Sequence, residues 1–188
     1  MKEIVLSEQD IEAICKRIGK QLSDKFRDNV KPPVMICVLK GATPFFADLI
    51  QEMDIPIVID FIQISSFLGT ESTGSVALKR DVMTNLKDRD IVVVDDVLDT
   101  AISMKFLLEF FKKKYNPSSI TTVALLDKRA YRKVEFEGDI IGKTIQDGFL
   151  VGYGLDYYEM FRNCKYVFIP DEKELADCDE YLKKAGLL

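Results

Sequence analysis

Short runs rich in β-branched and apolar residues alternate along the chain with stretches of helical spacing, and this alternation constrains the fold more than any other feature of the sequence. The runs are Val34 to Leu39, Ile57 to Ile64, Val76 to Leu78, Ile91 to Val94 and Ile120 to Leu126, with helices expected near 44–52 and 101–114. Most are apolar at successive positions, so both faces of each strand need cover. That pattern suits a parallel sheet with helices against it, and the class is α/β with an open twisted, mostly parallel sheet flanked by helices. Ser7 with Asp10 resembles a helix-capping signal. Ile11, Ile14, Ile18 and Leu22 then recur at helical spacing, which predicts an amphipathic helix over 8–28, ended by Pro32 and Pro33. The tail is less regular, with a strand expected at Tyr166 to Ile169 and a short helix around Cys178 to Lys184. No segment repeats, none is of low complexity, and no Pro/Gly/Ser-rich linker divides the 188 residues, so one core is the simplest organisation.

Composition removes several classes of function. With 47% hydrophobic and 30% charged residues the chain is neither disordered nor collagen-like. Its apolar stretches fall far short of the ~20 residues of a spanning helix. The first ten residues acquire acids at once and lack the apolar core of a signal peptide, so the expectation is a cytoplasmic protein with no membrane partner. Cys15, Cys37, Cys164 and Cys178 lie far apart and there is no histidine, which disfavours structural zinc, a disulfide framework and histidine-based catalysis. Proton transfer must then fall to carboxylate, lysine or tyrosine. A net charge of −5 argues against general nucleic-acid binding. Lys112 to Lys114 close a helix and complement its dipole, while Ile102, Phe106 and Phe110 are expected as its core stripe.

The most informative stretch is Ile91-Val-Val-Val-Asp95-Asp96-Val-Leu-Asp99-Thr100-Ala101-Ile102-Ser103. A buried strand ends on two carboxylates, and a polar turn opens a helix. Ligands of open α/β sheets bind at the carboxyl ends of strands, and a helix N-terminus offers free N–H groups to a phosphate. Thr100 and Ser103 add hydroxyls. Asp95 and Asp96 point to opposite sides if the strand continues, so one could meet a ligand or metal while the other buttresses the loop. The plainer alternative is that these acids end the strand and cap the helix. Asp95-Asp96-x-x-Asp99 also matches the aspartate-rich signature of isoprenyl diphosphate synthases, but the valines upstream favour a strand and the chain is not all-helical. Gly152-Tyr-Gly154 is no dinucleotide fingerprint, because Tyr157 stands where a third glycine belongs.

Residues 91–104 resemble the phosphoribosyl pyrophosphate signature of purine phosphoribosyltransferases of the hypoxanthine-guanine type, and the resemblance extends over most of the chain. Leu39-Lys40-Gly41-Ala42 followed by Pro44 to Leu49 is similar to the family's pyrophosphate loop and the helix behind it. Ser65-Ser66-Phe67 through Ser72-Thr73-Gly74, then Val76 to Asp81, resembles its mobile loop. Asp127-Lys128-Arg129 and Phe149 to Tyr157, with Phe161-Arg162, resemble its purine-recognition segment.

The resemblance implies the type I phosphoribosyltransferase fold as a single domain over 1–188. Its core would cover about 30–145, its small hood about 1–10 and 146–188 from the terminal segments, and its lid about 66–81. It further implies transfer of a 5-phosphoribosyl group from phosphoribosyl pyrophosphate to N9 of hypoxanthine or guanine, with Mg²⁺, giving a nucleoside monophosphate and pyrophosphate. Asp95 and Asp96 would meet the ribose or the metal, and Asp156 a second Mg²⁺. Asp99 to Ser103, including Thr100, Ala101 and Ile102, would cradle the 5′-phosphate. Asp99 would take the purine N7 proton, Lys128 donate to the 6-oxo group, Phe149 stack on the base, and the backbone at Leu150 or beyond receive its edge hydrogens. Lys40, Gly41 and Arg162 would bind pyrophosphate, after a cis Leu39-Lys40 peptide as in the family. Ser66 and Phe67 would belong to the lid, although 66–75 also reads as a hairpin loop. A homodimer or homotetramer is implied too.

Three positions depart from the common family pattern: Ala101 for glycine, Ile102 for a polar residue or lysine, and Phe67 for tyrosine. An alanine would crowd the phosphate if that position needs positive φ. Tyr131, Arg132 and Lys133 extend a basic cluster that faces solvent or a neighbouring subunit. The competing readings are a transferase preferring another base, such as xanthine, and a nucleotide-sensing regulator on the same fold.

Overall fold

The apolar runs become strands because each alternates its side chains between two covered faces. The computed structural model describes residues 3–66 and 76–188, with elements β1 (Glu3–Leu6), α1 (Glu8–Phe26), β2 (Val34–Leu39), α2 (Thr43–Gln51), β3 (Val58–Ser66), β4 (Val76–Arg80), β5 (Asp90–Leu98), α3 (Ile102–Tyr115), β6 (Ser119–Lys128), β7 (Ile140–Ile145), β8 (Val167–Ile169) and α4 (Glu172–Lys184). Met35, Cys37, Val92, Val94, Val123 and Leu125 turn to one face. There they meet Ile11, Ile14, Ile18 and Leu22 of α1 and Phe45 and Leu49 of α2. Val34, Ile36, Val38, Ile91, Val93 and Ala124 turn to the other face, under Met104, Leu107 and Phe111 of α3. This period of two is what a doubly covered strand requires.

Some element boundaries differ from expectation for identifiable reasons. The start of α1 is as read: Ser7 accepts from the Asp10 amide at 3.1 Å, and Asp10 accepts from the Ser7 amide at 2.9 Å. The second capping box, Asp171 with Glu174, starts α4 at Glu172, a turn and a half before the expected Cys178. The core stripe of α3 is Met104, Leu107 and Phe111, so Ile102, Phe106 and Phe110 lie at its edge and the expected stripe was rotated. β1 and β7 were not expected. The first is four residues long, and the second carries Gly142 and Lys143 on an edge.

The main sheet has the order β4-β3-β2-β5-β6-β7, and β1 pairs antiparallel with β8 in a separate two-stranded sheet. β2, β3, β5, β6 and β7 are parallel; β4 returns antiparallel beside β3. The chain moves outward from β2 to β3 and β4, then crosses back to begin β5 on the other side of β2. Strand order therefore reverses between β2 and β5. Connections leave those two strands in opposite directions, which opens a crevice at their carboxyl ends. Off this crevice, the buried Asp60 of β3 accepts from the amides of Phe61, Met83 and Thr84 at 2.7–2.8 Å, tying the sheet to the segment after β4.

Candidate active site

The ends of β2 and β5 bring the first group of expected residues together. The Leu39-Lys40 peptide is cis, and the Lys40 carbonyl accepts from the Thr43 amide and hydroxyl at 3.2 and 2.7 Å. Gly41 lies flat against β5: a methyl group there would fall 1.7 Å from an oxygen of Asp96. Gly154 lies against Gly41 in turn, since its own methyl would fall 1.9 Å from the Gly41 carbonyl oxygen. Gly154 also has φ +98°, a backbone region that suits glycine. Its carbonyl accepts from Arg162 at 2.6 Å, and Arg162 pairs with Asp156 at 2.8 Å. Lys40, Gly41, Asp96, Asp156 and Arg162 thus form one contiguous patch.

β5 continues through Asp95 and Asp96, as the alternation requires, yet the two carboxyl groups are neighbours rather than opposed. The Asp96 amide donates to Asp95 at 3.0 Å and the Val97 amide to Asp96 at 2.8 Å. Burial, then the adjoining Asp96 carboxylate, pushes Asp95 well above the ordinary carboxylate range; burial raises Asp96 as well. Such a pair is well suited to a hard divalent cation, whose charge would remove the mutual repulsion. Among the described residues no three acids or thiols form a complete cage. The fit is that of magnesium, which commonly takes one or two carboxylates and completes its shell with substrate oxygens and water. Asp156 is a poorer candidate as it stands, because its carboxylate already holds Arg162 and the Glu159 amide, the latter at 2.9 Å.

The turn after β5 leads into α3, whose first amides point back at it. Asp99 carries a buried Oδ1 without a hydrogen-bond partner, an atom whose acceptor capacity is left for a ligand. Ala101 has φ +61° and is buried, so the position where glycine was expected does adopt positive φ. Ile102 and Ser103 open α3, and the Ile102 amide meets the Thr100 hydroxyl at 3.4 Å. The turn is held from behind by Arg132. Its guanidinium donates to the Asp99 carbonyl at 2.8 Å and pairs with the buried Asp127 at the end of β6, while the Lys133 amide donates to the Thr100 carbonyl at 3.1 Å. Arg132 therefore faces inward, which settles that part of the basic cluster.

A second group gathers beside this turn. Lys128 donates to the Gly148 carbonyl at 2.6 Å and lies 5.6 Å from the Tyr131 ring centre. Phe149 is half exposed and meets Tyr157 edge to face at 5.8 Å. The Leu150 side chain is buried in the core, so it is the backbone at Leu150 that can meet a ligand, while Val151 exchanges both backbone bonds with Phe168. Ser66 ends β3, and Phe67 with most of the expected lid lies outside the described residues. Asp127, Arg132 and Glu159 were not picked out as site residues. The one local signal was position: Asp127 adjoins Lys128, Arg132 follows it closely, and Glu159 sits between Asp156 and Arg162.

Residues 2–158 match the phosphoribosyl transferase domain family. The chain is 40% identical over 168 residues to the hypoxanthine-guanine phosphoribosyltransferase of Staphylococcus aureus, covering 89% of this chain and 92% of the relative. It is equally similar, over 169 residues and the same shares, to that of Staphylococcus epidermidis. Among solved structures, a hypoxanthine phosphoribosyltransferase from Staphylococcus aureus superposes with TM-score 0.86 at 38% identity, covering 92% and 93% of the two chains. The Trypanosoma cruzi hypoxanthine phosphoribosyltransferase in complex with its product IMP gives TM-score 0.83 at 30% identity, covering 91% and 95%.

Proposed function

The chain belongs to the hypoxanthine-guanine branch of the phosphoribosyltransferases, and from that premise we propose that it moves the 5-phosphoribosyl group of phosphoribosyl pyrophosphate to N9 of hypoxanthine or guanine, releasing pyrophosphate and forming IMP or GMP. The observation that carries this reading is the meeting, at the β2/β5 crevice, of a cationic patch, the adjoining acids Asp95 and Asp96, and an orphaned carboxylate oxygen at the head of a helix. Each matches a part of the two substrates. The turn from Asp99 to Ser103, with Thr100, Ala101 and Ile102, offers amides and hydroxyls to the 5′-phosphate. Lys40, Gly41 and Arg162 take the diphosphate, the lysine as a point charge and the arginine as a fork.

On the base side, Phe149 presents a ring face to the purine and Lys128 donates to the 6-oxo group. A 6-amino group would set donor against donor, which disfavours adenine. Asp99 accepts the purine N7 proton as the C1′–N9 bond forms and the C1′–O bond to pyrophosphate breaks. Asp95 and Asp96 place negative charge beside the ribose as positive charge builds on its ring. Magnesium held by Asp95, Asp96 and substrate oxygens would offset the charge of the departing diphosphate. Asp156 keeps Arg162 in place and would share its carboxylate with a second ion. The terminal segments around the β1–β8 sheet form the hood over the base. The same reading makes the enzyme a cytoplasmic homodimer or homotetramer.

The test is nucleotide formation from phosphoribosyl pyrophosphate and Mg²⁺ with hypoxanthine, guanine, xanthine and adenine in parallel, beside Asp99→Asn and Lys128→Ala. Turnover of 6-oxopurines is expected, with kcat down about 10²-fold or more in Asp99→Asn. Lys128→Ala should lose most of the discrimination against adenine. Preference for xanthine would move the assignment to a sister enzyme, and measurable donor binding without turnover of any base would favour a nucleotide-sensing regulator.

A further inference from the structure

The two cations offered to the diphosphate are already bridged by a carboxylate of the chain itself. Glu159 Oε2 accepts from Lys40 Nζ at 3.1 Å and from Arg162 Nε at 3.3 Å, while Oε1 accepts from Arg162 Nη2 at 3.2 Å. One carboxylate thus receives a guanidinium fork and an ammonium together, the arrangement in which these side chains would grip a phosphate group. Arg162 and Lys40 together hold the Glu159 carboxyl below the usual range.

The backbone that delivers this carboxylate is unusual. Tyr158, Glu159 and Phe161 all have positive φ, +47°, +68° and +71°, and none is glycine. A left-handed conformation is unfavourable for any residue that carries a β-carbon. The turn is held by the Asp156 carboxylate on the Glu159 amide and by paired backbone bonds between Tyr157 and Met160. A local preference does not explain the placement of Glu159; its partners do.

We propose that Glu159 is an internal stand-in for the diphosphate. It keeps Lys40 and Arg162 paired and in position between turnovers, moves aside when the donor binds, and returns as pyrophosphate leaves. The inference rests on the assignment of Lys40 and Arg162 to the diphosphate. Its signature is an affinity set lower than the two cations alone would give. Glu159 and Lys40 are each 57% exposed at the side chain, so solvent screens the pair and the effect is moderate.

The experiment is titration calorimetry of Mg²⁺-pyrophosphate into the full-length enzyme, with the KM for phosphoribosyl pyrophosphate measured alongside. Wild type, Glu159→Gln, Glu159→Ala, Lys40→Ala and Arg162→Ala are compared. Both Glu159 variants should bind pyrophosphate about three- to tenfold more tightly and lower the donor KM in parallel. A purely structural role for Glu159 predicts the reverse, since a loosened turn would weaken binding. Unchanged or weaker binding in Glu159→Gln and Glu159→Ala overturns the stand-in. If neither Lys40→Ala nor Arg162→Ala weakens pyrophosphate, the diphosphate assignment fails and the stand-in with it. Weakening in those two without tightening at Glu159 removes the stand-in alone.

Discussion

Ala101 shows how far a single position can be read in advance. A residue with a β-carbon in the left-handed region is less favourable than glycine by about 1 kcal/mol, part of which glycine loses again through its freer unfolded chain. Ala101→Gly should therefore raise stability by about 0.5–1 kcal/mol in urea denaturation, without raising the donor KM; a less stable variant would mean that the methyl group packs more usefully than the backbone strain suggests. The departure from glycine was legible, and so was its geometric consequence. Asp95, Asp96 and Asp99 could be singled out as candidates because each sits in a short stretch whose neighbours announce a strand end, whereas Lys128 was a candidate through the family resemblance alone. Glu159 and Arg132 were not. Their roles depend on partners that only folding brings near: Lys40 is 119 residues from Glu159, and the Asp99 carbonyl is 33 from Arg132.

At the scale of elements, periodicity located the long helices and the doubly covered strands, because burial on both faces leaves an uninterrupted apolar run. It missed β1 and β7, which are short or lie on an edge and have no such run. It also misplaced the stripe on α3, where the aromatic Phe106 and Phe110 drew attention from Met104 and Leu107. One polar residue inside this scaffold makes a sharp prediction. Burial raises the Asp60 carboxyl, but hydrogen bonds from Thr84, Phe61 and Met83 outweigh it and hold the group below its ordinary 3.8. A depressed folded value means that the stabilisation is fully present above pH 3.8 and is lost as the pH falls through the lower, folded value. Asp60→Asn should therefore melt below wild type at neutral pH, with the gap narrowing under acid, on thermal scans from pH 7 to pH 3. A gap independent of pH would mean that the carboxylate charge is not what the three amides recognise.

For the whole molecule, the strand order was the part no local pattern encodes. The sequence indicates that a parallel sheet forms, but the crossing from β4 back to β5 decides where the crevice opens. That crevice joins segments at residues 39–41, 95–103, 127–133 and 149–162. A ligand bridging them should stabilise the whole fold. Phosphoribosyl pyrophosphate with Mg²⁺ is expected to raise Tm, by an amount equivalent to about 2.7 kcal/mol at a hundredfold excess over Kd, and a chelator should erase most of the rise. A rise that survives the chelator would argue that Asp95 and Asp96 tolerate the donor without a cation.

The stacking of Gly154 on Gly41 and of Gly41 on Asp96 also limits how this chain can change over generations. A side chain at 154 would strike a backbone oxygen, so no replacement at position 41 could make room for it. A side chain at 41 would strike the carboxylate of Asp96, which would then have to turn away from the Val97 amide that holds it. Gly154 therefore has no second-site suppressor within the trio, so that position should stay fixed in any descendant that keeps the activity, however far the rest of the sequence drifts.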